Sequence, residues 1–290
     1  MNLFQYLSAR VFLFFARTKG RIDRRFSGRF STIDSSGVPL CFSDDGKGPV
    51  VVLLHGIARD GSDWNSTIKR LKDRFRLITL DARGQGGSGK PEDPASYGKE
   101  MVKDVRAVLR HLKIEQACLI GVSAGAEIAL RFTVEHPGLV NGLIVIGSGW
   151  SGENESANYL SAGETLKQHR SLGPWIKATG GEGYFPTDRL GIAMADLLFK
   201  GRNIDACAAT FLGMRDIIHL SEEDVRNIGV PVLAICGEHD IERPSTERMM
   251  GVVPDLSLIV LLGRGHMDMD EDPKQVTAID DFLSRYSTPR

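Results

Sequence analysis

A chain of 290 residues with 42% hydrophobic and 25% charged residues has the composition of an ordinary globular protein, long enough for one large α/β domain with an insertion or for two small domains. The formal net charge of −1 lacks the basic surplus that nucleic-acid binding exploits. The four cysteines, Cys41, Cys118, Cys207 and Cys236, are scattered without a C-x-x-C pair, which excludes a disulfide framework and the usual zinc spacing and points to a reducing, cytoplasmic setting.

In chain order, the first element predicted is a basic amphipathic arm over residues 1–26. The opening "MNLFQYLSARVFLFFARTKGRIDRRFSGR" holds seven Arg or Lys and one acid, Asp23. Leu3, Phe4, Leu7, Val11, Phe14 and Phe15 share one helical face. Its longest apolar run, Val11 to Ala16, is too short to span a bilayer and has no secretory cleavage pattern. Three readings stay open: a helix docked on its own domain or on a twin subunit in a homodimer, a peripheral membrane anchor, and a targeting segment.

The stretch "RFSTIDSSGVPLCFSDDGKGPVVVLLHG" predicts three short strands separated by "DSSG" and "DDGKG" turns. Strand "FRLITLD" and helix "KEMVKDVRAVLRHL" come next, then strand "ACLIGV", helix "AGAEIALRFTVEHP" and strand "VNGLIVIGSG". The alternation resumes near the end with "VPVLAICG", "SLIVLLG" and the helix "DPKQVTAIDDFLSRY", where Asp272 and Pro273 form a start signal. Apolar runs alternating with helices predict a mostly parallel sheet covered on both faces. Between Ser151 and about Arg215 only helical patches occur, "RLGIAMADLLFKG" and "IDACAATFLGM" among them. The predicted layout is therefore a core over 27–150 and 216–290 with a helical cap over 151–215.

The chemistry-bearing groups sit at strand ends. Gly121-Val122-Ser123-Ala124-Gly125 is a G-x-S-x-G motif between a strand and a helix, a setting that exposes the serine on a strained turn. The alternative is a serine that merely caps the following helix. A serine hydroxyl becomes a nucleophile only when a base removes its proton and an acid orients that base. Loops beyond parallel strands supply both in order, Asp240 after "VPVLAICGEH" and His266 after "LIVLLGRG". The strand running into His55-Gly56 brings the backbone N–H of Ile57 toward that of Ala124, a pair suited to holding an oxyanion.

Together these residues resemble the α/β-hydrolase superfamily: His55-Gly56, "DARGQGGSGKP" from Asp81, "GVSAG" around Ser123, "GEHD" ending at Asp240, and "GRGH" ending at His266. The resemblance covers about residue 30 to the C-terminus and leaves the arm unexplained. It implies an α/β-hydrolase fold with a mostly parallel eight-stranded sheet, helices on both faces and a helical cap insertion. It implies Ser123 as nucleophile, His266 as base, Asp240 as its orienter, and the Ile57 and Ala124 amides as oxyanion donors, with no metal or organic cofactor. The expected activity is hydrolysis of a carboxylic ester, or a related acyl bond, of a largely apolar small molecule. Other uses of this fold are carbon–carbon hydrolysis, lactonase, thioesterase and perhydrolase chemistry, and a ligand-binding receptor without turnover is the rival from another class. One departure is Ala126, where many members carry a second glycine.

Trp150, Trp175, Phe185 and Phe211 are the expected pocket residues, Trp150 foremost. Glu238 is a second candidate for the acid, two residues before Asp240. His55, His136 and His239 read as structural. Asp81 and Arg83 are expected to tie together the "GQGGSG" bend, and "DMDEDP" from Asp268 to form a solvated loop without the glycine and glutamate of a calcium loop.

Overall fold

A computed structural model of the chain describes residues 30–179, 184–185, 187–267, 269 and 272–287. The arm of residues 1–26 lies outside the described residues, as do Asp268, Asp270 and Glu271 of the acidic loop. Among the described residues no helix is long and apolar enough to cross a membrane.

Eight strands form one sheet: β1 (Phe30–Ser35), β2 (Val38–Gly46), β3 (Val50–Leu54), β4 (Arg76–Leu80), β5 (Ala117–Val122), β6 (Val140–Ile146), β7 (Val232–Gly237) and β8 (Leu256–Leu261). Their order is β1-β2-β4-β3-β5-β6-β7-β8. The first two strands pair antiparallel and the remainder run parallel. The mostly parallel eight-stranded sheet therefore stands as the resemblance implied.

Double coverage explains why the strands read as unbroken apolar runs. In β3, Val52 and Leu54 face one core, whereas Val51 and Leu53 face the other. Leu119 and Ile120 of β5 divide the same way, as the period-two alternation of a strand requires. The first core is closed by α2 (Lys99–His111) and α3 (Ala124–Glu135), the second by α1 (Asn65–Leu71) and α10 (Pro273–Tyr286). Pro273 opens α10 and the Asp272 carboxylate accepts from the Lys274 N–H, as its start signal predicted.

Five helices occupy the described chain between β6 and β7: α4 (Glu153–His169), α5 (Gly173–Thr179), α6 (Arg189–Phe199), α7 (Ile204–Ile218) and α8 (Glu222–Arg226). Helices α4 to α7 share a third, smaller apolar cluster that includes Leu166, Trp175, Phe199 and Cys207. A short helix, α9 (Arg243–Glu247), follows β7.

The sheet order reverses direction between β3 and β5, which lie side by side although 62 residues lie between Leu54 and Ala117 in the chain. Such a switch point opens a crevice beyond the strands' carboxyl ends. The loops that leave β3, β5, β7 and β8 all emerge at that edge.

Arg83 departs from its expected role. Asp81 does tie the bend, accepting from the N–H groups of Gly61 and Gly87 at 2.7 Å each. Arg83 instead turns inward and clamps Asp104 of α2 with two bonds of 2.6 and 2.5 Å, both side chains being almost fully buried. A guanidinium in a dry core needs this bidentate partner, and Asp81 is already filled by backbone donors.

Candidate active site

The turn after β5 is built by the two motif glycines. A Cβ on Gly121 would sit 2.2 Å from the Gly125 carbonyl oxygen, and one on Gly125 would sit 2.3 Å from that of Leu54. Their absence lets α3 start immediately and forces Ser123 to φ 53°, ψ −124°, a conformation uncommon for a residue with a side chain. Ser123 makes no side-chain cap to α3, so the capping alternative fails.

The Ser123 hydroxyl turns toward His266 instead. The Nε2 of His266 lies 3.2 Å from Ser123 Oγ, and its Nδ1 lies 2.9 Å from Asp240 Oδ1. A carboxylate only accepts, so Nδ1 carries the proton toward Asp240 and Nε2 is left to accept from the serine. The imidazole side chain is 6% exposed and the Asp240 side chain 0%. Asp240 Oδ1 also accepts from the Glu242 N–H at 2.9 Å, which fixes the carboxylate against rotation. Ser123, Asp240 and His266 are thus brought together across 143 positions of chain. Glu238 is not part of this group: it accepts from the Gly263 N–H at 2.9 Å and holds the loop after β8.

Ala124 follows the serine directly, and Ile57 lines the same cavity as Ser123. Ala124 is the first residue of α3, so its N–H has no intrahelical acceptor. The β3 loop passes close by, since a Cβ on Gly56 would meet Ser123 Cβ at 3.4 Å. His55 shapes that loop, donating from Nδ1 to the Gly56 carbonyl at 2.8 Å and accepting the Ala82 N–H at Nε2, 3.1 Å away. His136 packs edge-on against Phe132, and His239 is exposed beside Glu238.

Over Ser123 lies a cavity of about 170 Å³, lined by Ile57, Trp64, Val122 and His266 from the core side. The opposite wall comes from the chain between β6 and β7. Trp175, Phe185 and Phe211 line it, together with Phe199. Trp150 does not: its indole N–H donates to the Leu220 carbonyl at 2.9 Å, and its ring packs on the core beneath. A half-buried indole needs an acceptor, and the chain before β7 supplies one in the Leu220 carbonyl.

Four further residues reach the site without having been singled out in the sequence. Tyr184 sets its ring edge-on to His266, with centroids 4.7 Å apart and planes at 86°, while its hydroxyl donates to Glu242. Tyr159 of α4 lines the cavity and donates to Glu127 at 2.7 Å. Glu127, on α3, also accepts from Ser148 and Ser151 at 3.1 and 2.8 Å. Burial pushes the Glu127 carboxyl up to about 8 despite these donors, with Glu242 adding to the rise. Burial likewise raises Glu242 above the usual carboxylate range. For His266 burial acts downward, but the Asp240 hydrogen bond and charge, aided by Glu242 and Glu127, lift it above the ordinary 6.5.

Comparison with known proteins gives one family: a family model described as the alpha/beta hydrolase family matches residues 51–279. Among curated relatives, an uncharacterized protein of Mycobacterium tuberculosis is 34% identical over 116 residues, 39% of this chain. The match spans about a third of that relative's own length, 33%. The 2-(acetamidomethylene)succinate hydrolase of Mesorhizobium japonicum is 25% identical over 87% of this chain and 94% of its own. Among solved structures, a hydrolase from Pseudomonas aeruginosa PA01 superposes with a TM-score of 0.74 at 24% identity, covering 89% of this chain and 99% of that one.

Proposed function

The chain belongs to the alpha/beta hydrolase family, and on that premise we propose that it is a serine hydrolase cleaving a carboxylic ester, or a related acyl bond, of a largely apolar small molecule. The observation that carries this reading is the hydrogen-bonded chain from Ser123 through His266 to Asp240, at 3.2 and 2.9 Å. The Ser123 oxygen attacks the substrate carbonyl carbon as its proton passes to Nε2 of His266. Asp240 stabilises the imidazolium so formed. The carbonyl oxygen becomes an oxyanion held by the Ile57 and Ala124 amides, and each such donor lowers the barrier by about 3 kcal/mol. Collapse of the tetrahedral intermediate breaks the ester C–O bond, and His266 returns the proton to the departing alcohol. Water, deprotonated by the same histidine, then releases the acid and restores the serine.

The aromatic wall of Trp175, Phe185, Phe199 and Phe211 favours an apolar group. A cavity of about 170 Å³ compares with the roughly 150 Å³ engineered cavity that takes up benzene, so the enclosed part of the substrate is about one ring or a short chain. The relative named for a succinate derivative keeps other acyl bonds within the proposal, and residues 151–215 act in it as a cap over the cavity.

Replacing Ser123 with Ala should abolish labelling by a fluorophosphonate probe and lower kcat on short p-nitrophenyl esters on the order of 10⁴-fold or more. Circular dichroism should be unchanged. Labelling that persists in this variant would sink the assignment of the nucleophile.

A further inference from the structure

The polar side of the cavity has a consistent chemical sense. It is formed by Glu155, Asn158 and Tyr159 of α4 together with Tyr184 and Glu242. Both tyrosine protons are committed: Tyr159 donates to Glu127 and Tyr184 to Glu242. A phenol that has given up its proton has only lone pairs to offer, and a carboxylate oxygen accepts. Apart from the Asn158 amide, which both donates and accepts, the wall therefore presents acceptors. Among the described lining residues, the cation present is already engaged. Arg59 is the one Arg or Lys among the described lining residues, and its Nε is paired with Asp63 at 2.5 Å. Glu155 is answered by Arg248 at 3.2 Å, from outside the lining.

We propose that this pocket selects uncharged or hydrogen-bond-donating ester substrates and rejects those carrying a carboxylate, with Glu242 as the specificity-determining side chain; the proposal rests on the hydrolase reading given above. A substrate carboxylate lodged beside Glu242 loses its water and meets lone pairs in return. If Glu242 is ionised the two carboxylates repel. If it is protonated, the pair holds a single proton between two carboxyl groups, in a site that already disfavours charge by burial. A hydroxyl or N–H on the substrate instead finds Glu242 and the tyrosine oxygens in position to accept.

Two matched pairs of esters test this. One places the charge on the acyl side: mono-p-nitrophenyl glutarate against its methyl-capped form. The other places it on the leaving group: the butyrate of 4-hydroxybenzoic acid against that of methyl 4-hydroxybenzoate. Each kcat/KM is divided by the rate with hydroxide, and affinity of the same four compounds for Ser123→Ala is measured by calorimetry. The expected result is a preference of at least about tenfold, equivalent to about 1.4 kcal/mol, for the capped member of at least one pair, in binding as well as in turnover. Glu242→Gln should narrow that gap at least about threefold. Equal affinity within both pairs would overturn the proposal, and a gap unmoved in Glu242→Gln would remove Glu242 from it. Selective binding without turnover of any capped ester by the native protein would instead uphold the charge selection and defeat the hydrolase reading.

Discussion

His266 carries opposing pressures: burial disfavours its cation, and Asp240, Glu242 and Glu127 favour it, with the net shift upward from 6.5. A base must be neutral to take a proton, so a raised pKa moves the loss of activity to higher pH. The acid limb of kcat/KM should have its midpoint above 6.5. Replacing Asp240 with Asn removes the largest upward influence, so the limb should shift down while kcat falls about 10⁴-fold through the wrong tautomer; a pH-rate profile of both proteins checks this. Ser123, Asp240 and His266 were legible because each is a polar residue ending an apolar strand, a pattern that local sequence displays. Tyr184 and Glu242 were not, since 58 positions separate them and their meeting depends on how the helices between β6 and β7 rest on the core. Trp150 misled for the same reason: its acceptor, the Leu220 carbonyl, lies 70 positions away.

The strand–turn–helix unit around Ser123 works because three backbone segments touch without side chains between them. Gly125→Ala drives a methyl onto the Leu54 carbonyl, 2.3 Å from its ideal position, and backbone atoms of a central strand have nowhere to go. The expected cost is about 3 kcal/mol, read as a lower urea midpoint at unchanged slope. The sheet strands themselves were plain in the sequence, since burial on both faces makes each an apolar run. Helix α4 was not. Its sequence, "ENESANYLSAGETLKQH", has few large apolar residues, and it holds its place by packing along α7 and turning Glu155, Asn158, Tyr159 and Ala162 to the cavity. A helix that lines a polar cavity wall gives up the amphipathic signature by which helices are recognised.

For the molecule as a whole, Glu127 links stability to pH. Its carboxyl rises from 4.5 in the reference state to about 8 in the fold, so the native protein binds that proton more tightly than the unfolded chain does. The stabilisation is complete below about pH 4.5 and is lost as pH rises through about 8. Glu127→Gln cannot titrate and keeps an oxygen for the serines. Relative to the parent, its unfolding free energy should therefore gain at least about 1 kcal/mol between pH 5 and pH 9, measured by denaturant titration across that range. Tyr184 has a different bearing on the whole. One aromatic ring both lines the cavity and braces the His266 imidazole, and its hydroxyl is fastened to Glu242, two residues past Asp240. Replacing Tyr184 with a small residue would therefore open the roof of the cavity and free the His266 ring together, two effects of one side chain.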